Sequence, residues 1–213
     1  MKIISHRGYW LNASEKNTSI AFERSFSLGF GTETDIRDSL GRLIISHDMP
    51  SGKEQGFDEF LASASRYAEK TKPMTLAFNI KADGLADLLA AQLADYPQLD
   101  GFVFDMAVPD MRQYFNSGVP VFTRMSEVER NPSFLNRAAG VWLDAFESEW
   151  YDKDVIANLI SSGKRVCIVS PELHGRLYLS HWQNLRDWCN TDQVILCTDK
   201  PEEARSYFGV IQA

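Results

Sequence analysis

The sequence predicts an α/β protein, a single (β/α)8 TIM barrel, and three observations predict it. Short runs rich in β-branched and aromatic residues alternate with longer helical patterns about eight times within 213 residues, the mark of an all-parallel α/β fold. The runs are continuously apolar, as strands buried on both faces require. Polar and charged residues recur just past one end of successive runs, which is where barrels of this class keep their sites. An open doubly wound sheet is the alternative. The glycine-rich dinucleotide fingerprint that marks its best-known form is missing from the chain.

The elements follow in order. Residues 2–5 read as the first strand. Residues 19–28 read as a helix with Ile20, Phe22, Phe26 and Leu28 on one face and Gly29 as its stop. Residues 32–36 are the next strand, and a turn at Ser39-Leu40-Gly41 leads into a return strand at 43–46. A helix at 57–68 precedes a strand at 75–80, and 85–93 is an Ala/Leu-rich helix. Strands at 102–104, 119–123 and 141–143 follow, with a short helix at 111–115. A helix at 155–160 stops at Gly163, and 166–169 is a strand. Residues 182–188 are helical, 194–197 form the last strand, and 202–208 close the chain as a helix. No linker, low-complexity tract or long charge block interrupts this rhythm, so one domain spanning 1–213 is expected.

The formal net charge is -7, from 22 basic and 29 acidic residues. Such a surface repels polyanions, which excludes nucleic acid as a general partner and leaves room for a local basic pocket. No run approaches the ~18 apolar residues of a membrane span, and the opening apolar run is shorter than a signal peptide's core. The expectation is a cytoplasmic protein without a transmembrane segment; the sequence leaves the oligomeric state open. Cys167, Cys189 and Cys197 form no CxxC and no Cys/His metal spacing, and read as buried small side chains. His181 reads as a helix-start or surface residue, and Trp150 and Tyr151 as exposed aromatics.

The chemistry lies at the strand ends. Strand one ends in His6-Arg7-Gly8, strand two carries Glu33 and Asp35, the return ends in His47-Asp48, and the next strand carries Asn79 and Lys81. Later ends offer Asp105, Arg124, Asp144, Ser170 and Asp199. Glu33 and Asp35 sit at i and i+2, hence on one strand face. Two carboxylates there repel unless a cation lies between them, and a hard divalent ion with oxygen ligands fits. Asn79 adds a neutral oxygen, and Lys81 a point charge for phosphate. Two imidazoles, His6 and His47, suit a phosphodiester displacement: one removes a proton from the attacking oxygen and the other protonates the leaving oxygen. Trp10, on the first loop, is a candidate for the pocket wall. The segment Ser170-Pro171-Glu172-Leu173-His174-Gly175-Arg176 packs a carboxylate, an imidazole and a guanidinium together. Glu172, His174 and Arg176, with Arg124 and Asp144, are candidates for contact with the substrate's head group. A loop held by internal ion pairs is the alternative reading of that segment.

The ordered set His6-Arg7-Gly8, Asn17-Thr18 with Ala21-Phe22, Gly31 with Glu33-Thr34-Asp35, Gly41 and His47-Asp48 resembles the N-terminal signature of glycerophosphodiester phosphodiesterases. Thr198-Asp199-Lys200-Pro201 is similar to that family's C-terminal element. The resemblance implies a (β/α)8 barrel that cleaves a small-molecule glycerophosphodiester to glycerol 3-phosphate and an alcohol, through a cyclic phosphate, with a divalent cation, Mg2+ or Ca2+. It implies His6 and His47 as the acid/base pair, Glu33, Asp35 and Asn79 as metal ligands, and Arg7 and Lys81 as phosphate-holding cations. The sequence departs from the family in three places. Lys16 stands where the family has Glu, Asn79 stands where it has a third carboxylate, and only residues 49–56 follow His47-Asp48 before the next helix. Two other readings stand beside this one: a phospholipase C-like enzyme with the same histidines and metal site that stops at the cyclic product, and, from Asn79 and Lys16, a non-catalytic barrel that binds a phosphorylated ligand.

Overall fold

A computed structural model describes residues 1–68, 73–188 and 192–209; Cys189 lies outside them. Among the described residues eight parallel strands alternate with seven α-helices, so the fold class is a (β/α)8 barrel. Contacts group the chain into two compact units, residues 5–121 and residues 1–4 with 122–213.

The unit of residues 5–121 starts within β1 (Lys2–His6). It continues through α1 (Ser19–Ser27), β2 (Gly31–Ser39), β3 (Arg42–Ile45), α2 (Phe57–Tyr67), β4 (Met74–Ile80), α3 (Ala86–Ala94), β5 (Leu99–Phe104) and α4 (Val108–Ser117). β4 lies parallel to both β2 and β5, so Asp35 is beside Asn79 and Asn79 beside Phe104. β3 returns antiparallel along β2. Its turn places Leu40 at φ 51 and Gly41 at φ 78, two left-handed residues in succession, as the twist of a tight hairpin demands. The return brings Ile45 beside Ile36, and the Ser46 N–H donates to the Asp35 carbonyl at 3.0 Å. His47 is thereby delivered to the part of β2 that carries Asp35. Phe22 and Phe26 of α1, Phe57 and Phe60 of α2 and Phe78 of β4 form an aromatic core, with edge-to-face pairs at 4.8 Å (Phe22–Phe60) and 5.2 Å (Phe57–Phe78). Each buried ring contributes roughly 1.5–3 kcal/mol.

The second unit contains β6 (Phe122–Met125), β7 (Gly140–Leu143), α5 (Lys153–Ser161), β8 (Arg165–Val169), α6 (Leu179–Trp188), β9 (Val194–Thr198) and α7 (Pro201–Phe208). β6 to β9 are parallel neighbours in chain order. The strand order is β5-β4-β2, with β3 attached to β2, in the unit of residues 5–121, and β9-β8-β7-β6 in this one. The Asp152 carboxylate accepts from the N–H groups of Asp154 and Val155 and starts α5. Trp182 is fully buried against Tyr178, Tyr207 and Phe208, and its indole N–H donates to the Ser170 hydroxyl at 2.8 Å.

Four expectations are corrected. The strand expected at 119–123 is Phe122–Met125: Pro120 has no N–H for a ladder, its carbonyl accepts from Val103 at 2.9 Å, and Val121 makes a single bridge. The helix expected from 111 begins at Val108, because Pro109 in its first turn presets the helical φ. His181 does lie in the first turn of α6, as a helix-start residue, but it is buried and not on the surface. Tyr151 is buried too, with its hydroxyl on His181, while the half-buried Trp150 donates its indole N–H to the Asp144 carbonyl. Cys167 and Cys197 are buried, as expected.

Candidate active site

The first loop sets the frame. Arg7 has φ 58 and Gly8 φ 81, a left-handed pair that turns the chain sharply out of β1. At Gly8 a Cβ would lie 2.7 Å from Ala21 Cβ and 2.8 Å from the Ala21 carbonyl carbon, so only glycine fits. Backbone bonds hold the turn: Arg7 N–H to the Glu33 carbonyl at 3.0 Å, Asn17 N–H to the Arg7 carbonyl at 2.9 Å, and Gly8 N–H to the Thr32 hydroxyl at 2.8 Å. Arg7 N–H also reaches the Glu33 carboxylate, at 3.2 Å. Backbone strain kept in place by this many contacts points to a functional loop.

Glu33 and Asp35 share one face of β2 and are 2% and 0% exposed. Two fixed cations face Asp35: Arg7 Nε is 3.0 Å from Oδ2, and Lys81 Nζ is 3.4 Å from Oδ1. His6 Nε2 is 3.9 Å from Glu33 Oε2. Asn17, itself at φ 58, donates from Nδ2 to Asp35 Oδ2 at 2.7 Å and accepts from the Thr34 hydroxyl at 2.8 Å. The structure therefore brings His6, Arg7, Glu33, Asp35, Asn79 and Lys81 to one neighbourhood. Burial pushes the Glu33 carboxyl well above the usual carboxylate range, the Asp35 charge adds to that push, and Arg7 and Lys81 oppose it.

His47 stands on the rim, 44% exposed, with Nδ1 3.0 Å from the Asp48 carboxylate. That contact suits an Nδ1–H tautomer and leaves Nε2 for chemistry. Arg7, Lys16, Asn17, His47 and Lys53 line one cleft of about 840 Å³. Trp10 donates its indole N–H to the His6 carbonyl at 3.1 Å, and Lys16 Nζ sits 4.5 Å from the centre of its ring. Lys16, in the place where the resemblance expects a carboxylate, is thus stacked on the first loop.

The residues around Asp35 fit a hard divalent cation. Among the described residues no three His, Cys, Asp or Glu side chains form a metal-binding group; here there are two acids, and the third oxygen is an amide. Asn79 Oδ1 and Asp35 Oδ1 are buried here and accept no hydrogen bond, and Asp35 Oδ1 faces Lys81 Nζ at 3.4 Å. Unsatisfied oxygens beside a strongly desolvated carboxylate are what an oxygen-preferring cation relieves.

The remaining candidates lie in the other unit. His174 Nε2 is 2.7 Å from Asp144 Oδ1, its ring packs 4.9 Å from Phe146, and Arg176 donates to the Ala145 carbonyl at 2.6 Å. Glu172 is engaged elsewhere: it accepts from the Ser170 and Thr198 hydroxyls and, at 3.2 Å, from the Asp199 N–H. Arg124 pairs with Glu129 and lies 5.9 Å from the Phe146 ring centre. Two residues outside the sequence-derived set belong with the first cluster. Asn17 was legible only through the resemblance. Asp105 was visible as one more strand-end acid, but its contact with the Asn79 amide, at 3.5 Å, is made in three dimensions.

No protein-family model and no curated protein matches the sequence. Solved structures do match. A glycerophosphodiester phosphodiesterase from Agrobacterium tumefaciens strain C58 aligns over 98% of both chains at 15% identity, TM-score 0.68. A glycerophosphoryl diester phosphodiesterase from Parabacteroides distasonis aligns over 98% of this chain and 86% of its own at 14% identity, TM-score 0.67. A calcium-dependent phosphoinositol-specific phospholipase C from a Pseudomonas species aligns over 92% and 87% at 11% identity, TM-score 0.53. At these identities the likeness is one of fold, and in fold this chain is similar to glycerophosphodiester phosphodiesterases.

Proposed function

We propose that the protein is a metal-dependent phosphoric diester hydrolase that cleaves a glycerophosphodiester to glycerol 3-phosphate and an alcohol. The observation that carries this reading is the neighbourhood of Asp35. Two buried carboxylates, two fixed cations, a neutral oxygen donor and an imidazole meet there, beside a cleft that carries a second imidazole. A binding module for a phosphorylated ligand has use for Arg7 and Lys81, but not for both His6 and His47. The likeness in fold to two phosphodiesterases supports the same reading.

Glu33, Asp35 and the Asn79 oxygen are the residues to hold Mg2+ or Ca2+, which when bound supplies neutralisation of a phosphoryl oxygen and a more acidic attacking hydroxyl. Arg7 and Lys81 hold the phosphate and stabilise the charge that builds on its oxygens. One of His6 and His47 takes the proton from the substrate's neighbouring hydroxyl as its oxygen bonds to phosphorus, and the other gives a proton to the departing alcohol oxygen. Water then opens the cyclic phosphate with the two imidazoles in exchanged roles. A second reading, supported by the likeness in fold to a phosphoinositol-specific phospholipase C, stops after the first half.

The test is phosphorus NMR of the purified protein with a panel of glycerophosphodiesters, with Mg2+, with Ca2+ and with chelator. Metal-dependent release of glycerol 3-phosphate, reduced about 100-fold or more in His6→Ala and in His47→Ala, is the expected result. A product that stays cyclic selects the second reading. Full turnover in chelator, or none of any diester under any condition, overturns both.

A further inference from the structure

Asn79 raises a problem of orientation. A side-chain amide offers either an oxygen or an NH2 group, and a cation accepts only the oxygen. A carboxylate in that place has no such ambiguity. Asn79 is 9% exposed, so the choice falls mainly to protein neighbours. Its Nδ2 donates to Asp105 Oδ2 through a long hydrogen bond of 3.5 Å, and Oδ1 is buried without a hydrogen-bond partner. Asn79 lies beside Asp35 on one strand and beside Phe104 on the next, and Asp105 is the residue after Phe104. Asp105 has φ 62, a conformation that non-glycine residues adopt rarely and at a cost of about 1–3 kcal/mol. The chain bends out of β5 at this residue, beside Asn79.

We propose that Asp105 is a positioning residue for the Asn79 oxygen: by accepting from Nδ2 it keeps Oδ1 as the atom offered beside Asp35. The inference rests on the divalent-cation reading of this site and deepens it. In this proposal Asp105 acts through the amide, as partners of metal ligands commonly do. It lets a neutral residue replace a carboxylate without loss of a defined oxygen ligand.

The experiment is calorimetric titration of the full chain with MgCl2 and with CaCl2, with thermal melts as a fold control. Asp105→Gly removes the acceptor and suits φ 62, so the fold is kept; cation affinity is expected to fall about tenfold or more. Asp105→Asn keeps an acceptor oxygen and drops the charge, and is expected to stay within about threefold of the parent. In an Asn79→Asp background the ligand no longer has an amide to orient, so adding Asp105→Gly is expected to change affinity by less than about threefold. An unchanged affinity in Asp105→Gly, or an equal loss with and without Asn79→Asp, overturns the positioning role and leaves the cation site standing. Absence of cation binding by the parent protein overturns both.

Discussion

The Nε2 of His181 lies 2.7 Å from the Tyr151 hydroxyl, with both residues buried. Burial, helped by the Arg176 charge, lowers the imidazole from its ordinary 6.5 to about 4. The folded state therefore binds fewer protons than the unfolded state between these values. The contribution of this residue to stability is fully present above pH 6.5 and is lost as pH falls toward 4, with a slope of up to about 1.4 kcal/mol per pH unit. Urea unfolding at a series of pH values is expected to show this limb, and His181→Phe to flatten it. An unchanged limb in the variant would assign the acid sensitivity to other groups.

Glu33 predicts the opposite sign. Its carboxyl is held above the ordinary 4.5, by burial first and the Asp35 charge second. The folded state keeps that proton longer, so ionised Glu33 lowers stability as pH rises above the ordinary value. Glu33→Gln is expected to stabilise the metal-free protein at neutral pH by about 1–2 kcal/mol, a rise of a few degrees in Tm, and to have no such effect near pH 4. The same variant is expected to lose the shift in Tm on adding Mg2+ or Ca2+.

Asn17 donates to one buried carboxylate oxygen of Asp35 and accepts from Thr34. Asn17→Ala leaves the Thr34 hydroxyl without this acceptor, leaves Asp35 Oδ2 to Arg7, and gives φ 58 to a residue with no side chain to favour it. A loss of about 2–4 kcal/mol in chemical denaturation is expected. Asn17→Gly, which relieves the backbone, should lose less than Asn17→Ala.

Glu172 braces Ser170, Thr198 and Asp199. Glu172→Ala is expected to lower stability by about 2–3 kcal/mol with KM unchanged. His174→Ala and Arg176→Ala carry the head-group expectation instead. A KM unchanged in both would reduce Asp144, His174 and Arg176 to a structural cluster.

Much of this molecule is legible along the chain because period and spacing are local. Glu33 and Asp35 share a face by their spacing alone, and Leu40-Gly41 declares its hairpin. Pro120 shows why strand bounds are harder: whether a missing N–H ends a ladder depends on the neighbouring strand, here Val103. The helix-start position of His181 is legible but its burial is not, because one polar residue there looks the same whether it faces water or a tyrosine 30 residues earlier. Asp105 could be seen as an acid, but its partner Asn79 is brought to it by the β4–β5 register. The segment at Glu172 looked like one cluster of charges, and the fold divides it between a brace and an Asp–His pair.

The left-handed turn at Arg7-Gly8 places two kinds of constraint on consecutive letters of the sequence. Under the proposed function His6 and Arg7 are held to their identities by chemistry on a substrate, whereas Gly8 is held by the lack of room above Ala21. In a library covering these positions, replacements at Gly8 would vanish from the pool of folded protein, and replacements at His6 would persist there as inert, well-expressed variants. Abundance and turnover, scored separately, would thus report geometry and chemistry as two distinct pressures on adjacent codons.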